Sequence, residues 1–198
     1  MPRPRTFEED DVVAAARSAF WSGGYAGTSL DDLTTATGLG KGSLYGAFGD
    51  KHTLFLRALD GYCEAAVQSA REQLRGPVEG AYGRLAEFVR AHAALNTADI
   101  ARLGCLMAKS AAELAGTDAQ VREKVSYTLT EIHTELAGVI ADAQREGTVA
   151  RQADPDKSAS LLLAVLRGLE AIHQGGVDDR VVVDAAEQAL QLIARHRE

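Results

Sequence analysis

Few side chains in this chain are spaced for chemistry, and most of the familiar arrangements fail on inspection. Glu170 and His173 form an E-x-x-H unit, the element from which di-iron helical bundles are built. Such a centre takes two of these units and two further glutamates, and the chain offers one unit. The stretch GLGKGS, residues 38–43, is neither G-x-G-x-x-G nor G-x-x-x-x-G-K-[ST], and it follows helix-forming sequence, so a phosphate cradle fails on both spacing and context. Neither H-E-x-x-H nor G-x-S-x-G occurs. The expectation is a protein that is not an enzyme and needs no metal or cofactor. Cys63 and Cys105 lack C-x-x-C spacing and are too few for a disulfide framework. Inert buried thiols in a reducing compartment are expected, with a thiol sensor at either position as the alternative.

What remains is a crowded window, TTATGLGKGSLYGAFGDK, residues 34–51, with five glycines in a chain otherwise rich in helix formers. Glycine in a helix interior costs about 1 kcal/mol relative to alanine, so each needs a loop or a reason. Thr28 and Ser29 are N-cap types ahead of LDDLTTAT, and Asp31 and Asp32 suit the positive end of a helix dipole. A short helix over 30–37 ends at Gly38, and Leu44 and Phe48 pattern a second over 41–48 that ends at Gly49. Two short helices joined by a tight glycine turn form a helix-turn-helix. Gly42 and Gly46 lie inside the second helix, where a missing side chain lets backbone approach a neighbouring surface such as a DNA major groove.

The elements that must position this window are helices as well. Val12, Val13, Ala16 and Phe20 give a first helix that Gly23 and Gly24 stop. After Asp50, a fourth runs to Leu74 before Gly76-Pro77. Tyr82 to Leu95 marks a fifth, RLGCLMAKSAAEL a sixth, and Thr117 to Gln120 reads as a capping box opening a seventh of roughly 40 Å. Asp154-Pro155 starts an eighth helix, apolar around most of its circumference, closed by Gly175-Gly176. Val182, Ala186, Ala189, Leu190 and Ile193 stripe the ninth. A helix apolar on two faces either sits deep in a monomer core or packs the core on one side and a second subunit on the other, and the terminal position and polar neighbours of the final helix favour the second. No strand pattern, repeat or low-complexity tract appears, so the fold class is all-α with about nine helices.

Charge gives no help to a nucleic-acid reading. Net charge is −7; residues 1–57 hold six Lys and Arg against seven acids, and residues 58–198 hold fifteen against twenty-one. Any contact with DNA rests on where a few cations sit. The N-terminal stretch has no apolar h-region and no run of about 18 apolar residues occurs, so a cytoplasmic protein without membrane contact is expected.

FWSGGYAGTSLDDLTTATGLGKGSLYGAFGDKHTLF, residues 20–55, resembles the DNA-binding domain of the TetR family of bacterial transcriptional regulators. The pattern rests on Gly24-Tyr25, Thr28-Ser29, Gly38, Lys41 to Tyr45, Phe48 and Lys51; GCLMAKSAAELA resembles a sixth-helix motif of one subgroup. The resemblance implies a DNA-binding domain over 1–50 and a helical effector-binding and dimerisation domain over 51–198. It implies a homodimer joined through helices eight and nine, and a repressor released from a palindromic operator by a small-molecule effector. On that resemblance Lys41, Gly42 and Ser43 enter a groove, while Thr28, Ser29, Tyr45 and Lys51 meet DNA backbone. Arg3 and Arg5 are minor candidates for a minor groove. Thr34 stands where alanine is usual, and Gly46 and Ala47 replace bulkier residues, so fewer side chains reach DNA. An effector pocket among helices four to seven would draw on Tyr62, Phe88, His92, Met107 and Tyr127, although an apolar stripe and a satisfied core histidine explain these residues equally. The rival reading is a helical ligand-binding or protein-interaction module that never touches DNA, which leaves the pattern from Gly38 to Lys51 unexplained.

Overall fold

A computed structural model describes residues 7–94 and 103–194. Arg3, Arg5, Leu95 and Arg102 lie outside them. Among the described residues there are nine helices and no strand: α1 (Glu9–Gly27), α2 (Leu30–Thr37), α3 (Lys41–Phe48), α4 (Lys51–Leu74), α5 (Ala81–Ala94), α6 (Leu106–Leu114), α7 (Ala119–Glu146), α8 (Pro155–Gln174) and α9 (Asp179–Ile193). They fall into two compact units. The first gathers residues 1–64 with 106–125, the second residues 65–105 with 126–198.

In the first unit α1 packs on α2 and α6, and α2 on α3. Phe20 is fully buried, its ring edge-on to Phe55 at 5.2 Å between centroids, and Tyr25 lies 4.9 Å from Phe55. Leu33, Leu44 and Phe48 complete the inner side of the helix-turn-helix. Removing a ring buried like Phe20 costs about 3–5 kcal/mol. Ser29 is the N-cap of α2: its hydroxyl accepts from Asp32 N, and the Asp32 carboxylate accepts from Ser29 N at 2.8 Å. Gly38 closes α2 in the left-handed region (φ 69°), where a Cβ would be strained, and the turn to α3 follows.

Two expectations change here. The break expected at the glycine pair does occur, but the chain turns helical again beyond it. Gly24 (φ 72°, ψ 175°) breaks the helical path, and one further turn runs on to Gly27. Thr117 does not open α7: its hydroxyl donates to Leu114 O, and Asp118 caps the helix by accepting from Gln120 N and Val121 N. Adjacent cap-forming residues compete, and the carboxylate accepts from two amides where a hydroxyl serves one.

The second unit packs α5, α8 and α9 on one another. Its core includes Leu85, Phe88, Val89, Leu136, Ile140, Leu162, Leu166, Val182 and Leu190. Asp154 caps α8 with Pro155 in the first turn. Leu161 on α8, with Val181, Val183 and Leu192 on α9, remains exposed, so each helix carries apolar surface beyond the face it buries. Between α4 and α7, Glu135 accepts from Arg75 and Arg71, and those guanidinium groups hold its carboxyl below the usual range, Arg75 first.

Candidate DNA-reading surface

α3 has two faces. Leu44 and Phe48, four residues apart, are buried, while Lys41, Gly42, Ser43, Tyr45 and Gly46 are exposed. Tyr45 is 48% exposed, a large value for an aromatic residue. A Cβ built on Gly42 or Gly46 would meet no atom within 4 Å, so nothing in the chain's own packing requires glycine there. Lys41 Nζ sits 2.7 Å from Asp31 Oδ1 of α2, and that hydrogen bond raises the lysine above its ordinary pKa. Lys51 opens α4 with its ammonium 4.5 Å from the centre of the Tyr25 ring. Asp50 caps the same helix, accepting from Thr53 N at 2.7 Å, and that bond lowers its pKa.

Thr28 is placed differently from the expectation. It is 2% exposed, and its hydroxyl donates inward to Gly24 O at 2.6 Å, so it neither caps α2 nor offers a free hydroxyl to a phosphate. The break at Gly24 explains this, because it leaves a carbonyl that needs a donor. Ser29 is exposed and carries the cap alone.

The pocket candidates divide between the units. Tyr62 packs edge-on to Trp21 at 5.2 Å and Met107 is buried, both in the first unit. In the second, Phe88 and His92 are in ring contact at 4.3 Å, and His92 Nδ1 donates to Phe88 O. Burial lowers the pKa of His92; the bond to Phe88 opposes this and the charge of Arg167 adds to it. Tyr127 is 64% exposed on the solvent side of α7 and lines no interior.

Both cysteines are buried, Cys63 on α4 and Cys105 just before α6, one residue short of the helix expected to carry it. Cys105 Sγ lies 3.5 Å from Arg167 Nη1, and Arg167 pairs with Glu170 at 3.0 Å. Burial raises the pKa of Glu170 against the opposing influence of Arg167 and Cys105. Arg167 Nε and Glu170 Oε2 are buried without hydrogen-bond partners, and His173 Nδ1 lies 3.3 Å from Asp179 Oδ1. Glu170 thus faces an arginine and a thiol, and no group of three or more His, Cys, Asp or Glu among the described residues is arranged to hold a metal ion.

Sequence reasoning missed the acidic and basic residues of α6 and α7 that meet the reading head within the first unit. Lys109 Nζ donates to Trp21 O, Glu113 accepts from Tyr25 N and Ala26 N, and His52 Nε2 pairs with Asp118 at 2.5 Å. The only signal was the i, i+4 spacing of Lys109 and Glu113, which puts them on one face without naming a partner.

Three short helices with a capped turn, and an exposed Lys-Gly-Ser-x-Tyr face over a buried Leu-x-x-x-Phe face, define a helix-turn-helix reader of duplex nucleic acid. Comparison with known proteins makes this specific. The family profile of bacterial regulatory proteins of the tetR family matches residues 12–58, and that of the tetracyclin repressor-like C-terminal domain matches residues 81–190. The HTH-type transcriptional repressor ComR of Escherichia coli is 25% identical over 96% of this chain and 90% of its own. A cysteine mutant of the TetR family regulator CifR, solved with 26-base-pair operator DNA, is 32% identical over 96% of this chain and 98% of that one, with a TM-score of 0.76. A TetR regulator from Chloroflexus aurantiacus superposes with a TM-score of 0.82 at 23% identity over 94% of this chain and 96% of that one, which shows the shared fold. The chain belongs to the TetR family of bacterial transcriptional regulators. It is a DNA-binding regulator, in a family whose C-terminal helices carry dimerisation and effector binding.

Proposed function

We propose that this protein represses transcription by binding a palindromic operator as a homodimer and that a small molecule releases it. The observation that carries the reading is the exposed face of α3, with Lys41, Gly42, Ser43 and Tyr45 outward over buried Leu44 and Phe48. Lys41 and Ser43 read base edges, Gly42 lets the backbone approach, and Ser29, Tyr45 and Lys51 position the head on phosphates. Residues 1–50 form the reading domain and residues 51–198 the effector-binding and dimerisation domain, with Leu161, Val181, Val183 and Leu192 supplying apolar surface for a second subunit.

Release is a shift of populations. The effector binds the released conformation better than the operator-bound one, and couplings of this kind are worth about 1–3 kcal/mol. α4 carries Lys51 in its first turn and continues to Leu74, so a tilt of this helix changes how two heads match the fixed repeat of DNA. The effector site draws on Phe88 and His92, beside the buried polar groups of α8. The protein works in the cytoplasm, without catalysis, cofactor or metal; no described helix is long and apolar enough to cross a membrane.

A second reading concerns Cys105. Its sulfur lies 3.5 Å from Arg167 Nη1, which places a cation beside a thiol that would act as a sensor. Thiol counting under oxidant with unchanged operator binding would eliminate it. The main reading is tested by footprinting the protein's own upstream region at low ionic strength. A protected inverted repeat is expected, and its absence there and at neighbouring genes would refute the regulator.

A further inference from the structure

Gly24-Tyr25 is part of the sequence pattern, yet neither residue reaches the exposed face of α3. Its role emerges from the hydrogen bonds around the break in α1. In a continuous helix Tyr25 N–H would donate to the carbonyl four residues back, Trp21 O, and Ala26 N–H to Ser22 O. The conformation of Gly24 interrupts that ladder and leaves these groups without helical partners. α6 takes up both halves of the broken bond. Lys109 Nζ donates to Trp21 O at 3.0 Å, and the Glu113 carboxylate, one turn on, accepts from Tyr25 N at 2.8 Å and Ala26 N at 2.6 Å. The approach is so close that a Cβ on Gly24 would lie 3.0 Å from Glu113 Oε2 and press on that carboxylate, while the positive φ of Gly24 is what calls for glycine.

The residue held in this way is the one that carries Lys51. Tyr25 has its ring 4.5 Å below the Lys51 ammonium and edge-on to His52, whose Nε2 meets Asp118 Oδ2. All of these groups belong to the first unit. We infer that Glu113 is a positioning residue for operator binding: by fixing the Tyr25 and Ala26 amides it sets the aromatic face on which Lys51 rests, and so places that ammonium for its phosphate. The inference rests on the phosphate contact proposed for Lys51. Lys109 is the companion of Glu113, neutralising the carbonyl end of the break as Glu113 does the amide end.

The test is a set of salt-titrated binding isotherms on a duplex of the protein's own upstream region, using wild type, Glu113→Ala, Lys51→Ala and the double variant. Hydrogen exchange at the Tyr25 and Ala26 amides is read alongside. Glu113→Ala is expected to lose protection at those amides, to weaken binding roughly fivefold and to lower the salt slope by about one, as Lys51→Ala does. In the Lys51→Ala background it should weaken binding little further, which a residue contributing only to stability would not do. If the alanine variant melts below the assay temperature, Glu113→Gln, which keeps one acceptor oxygen for two amides, replaces it, with a smaller loss expected on the same readouts. Wild-type affinity and slope in the Glu113 variant beside a weakened Lys51→Ala, or losses that add in full, would overturn the inference. A Lys51→Ala protein that binds like wild type would instead remove the contact on which it stands.

Discussion

Asp31 and Lys41 form an ion pair that the proposed contact of Lys41 with DNA would have to break, and replacing Asp31 with asparagine isolates its effect. Lys41 Nζ is 2.7 Å from Asp31 Oδ1, with both side chains more than half exposed. An exposed pair of this kind holds its lysine by no more than about a factor of five. The same carboxylate adds a negative charge beside the exposed side of α3. Asp31→Asn is therefore expected to tighten operator binding by roughly two- to fivefold at low salt. The gain should shrink as the screening length falls from about 10 Å at 0.1 M to about 3 Å at 1 M. Asp31 also lies in the first turn of α2, so the variant should melt about 1–3 °C lower. Fluorescence anisotropy on the protein's own upstream fragment, across a salt series, reads all but the last effect. In a Lys41→Ala background the gain should fall to the part that comes from removing the carboxylate's own charge. Unchanged or weaker binding at low salt, or a gain that survives in full without Lys41, would refute the competition between Asp31 and DNA and leave the pair as a device that orients Lys41.

The other predictions are briefer. Lys51→Ala should weaken all sequences alike and lower the salt slope by about one, whereas Lys41→Ala should cost roughly tenfold at one base position; isotherms on a panel of operator variants separate them. Gly46→Ala meets no atom within 4 Å inside α3, so thermal unfolding should rise by roughly 2–4 °C, while Gly42→Val should keep the melting temperature and weaken operator binding roughly tenfold. Burial holds His92 below the ordinary imidazole pKa, so the native state binds fewer protons than the unfolded chain and its share of stability, complete above about pH 6.5, is lost as pH falls through the lowered value. Melting curves from about pH 8 to pH 5 should be flatter for His92→Gln. Glu170 runs the other way: its raised pKa gives stability that is lost as pH rises from about 4.5 through that value, and Glu170→Gln should remove this loss.

The helix-turn-helix was legible because glycine punctuates it. Gly38 and Gly49 have positive φ where the sequence placed helix ends, and α2 and α3 have the expected bounds. The choice between Thr28 and Ser29 as cap was not readable, since each has an aspartate three residues on, Asp31 and Asp32, and the inward turn of Thr28 depends on a break that no local rule signals. A glycine pair reads equally as a stop or as a kink, and tertiary contacts decide. Glu113 meets the amides of Tyr25 and Ala26 across 88 and 87 residues, and Arg167 meets Cys105 across 62. Separations of that kind carry no period or motif. Tyr127 falls off the apolar stripe that Val121, Val125, Ile132, Leu136 and Ile140 form on α7, so its exposure was readable from the helical period.

The crevice at the end of α1 constrains what its two glycines can become. A side chain at Gly23 would strike the Thr28 hydroxyl at 2.8 Å, and one at Gly24 would strike Glu113. Among descendants of this chain, Gly23 should be exchanged only together with Thr28, whereas Gly24 should stay glycine even where Glu113 is lost, because its positive φ strains any other residue.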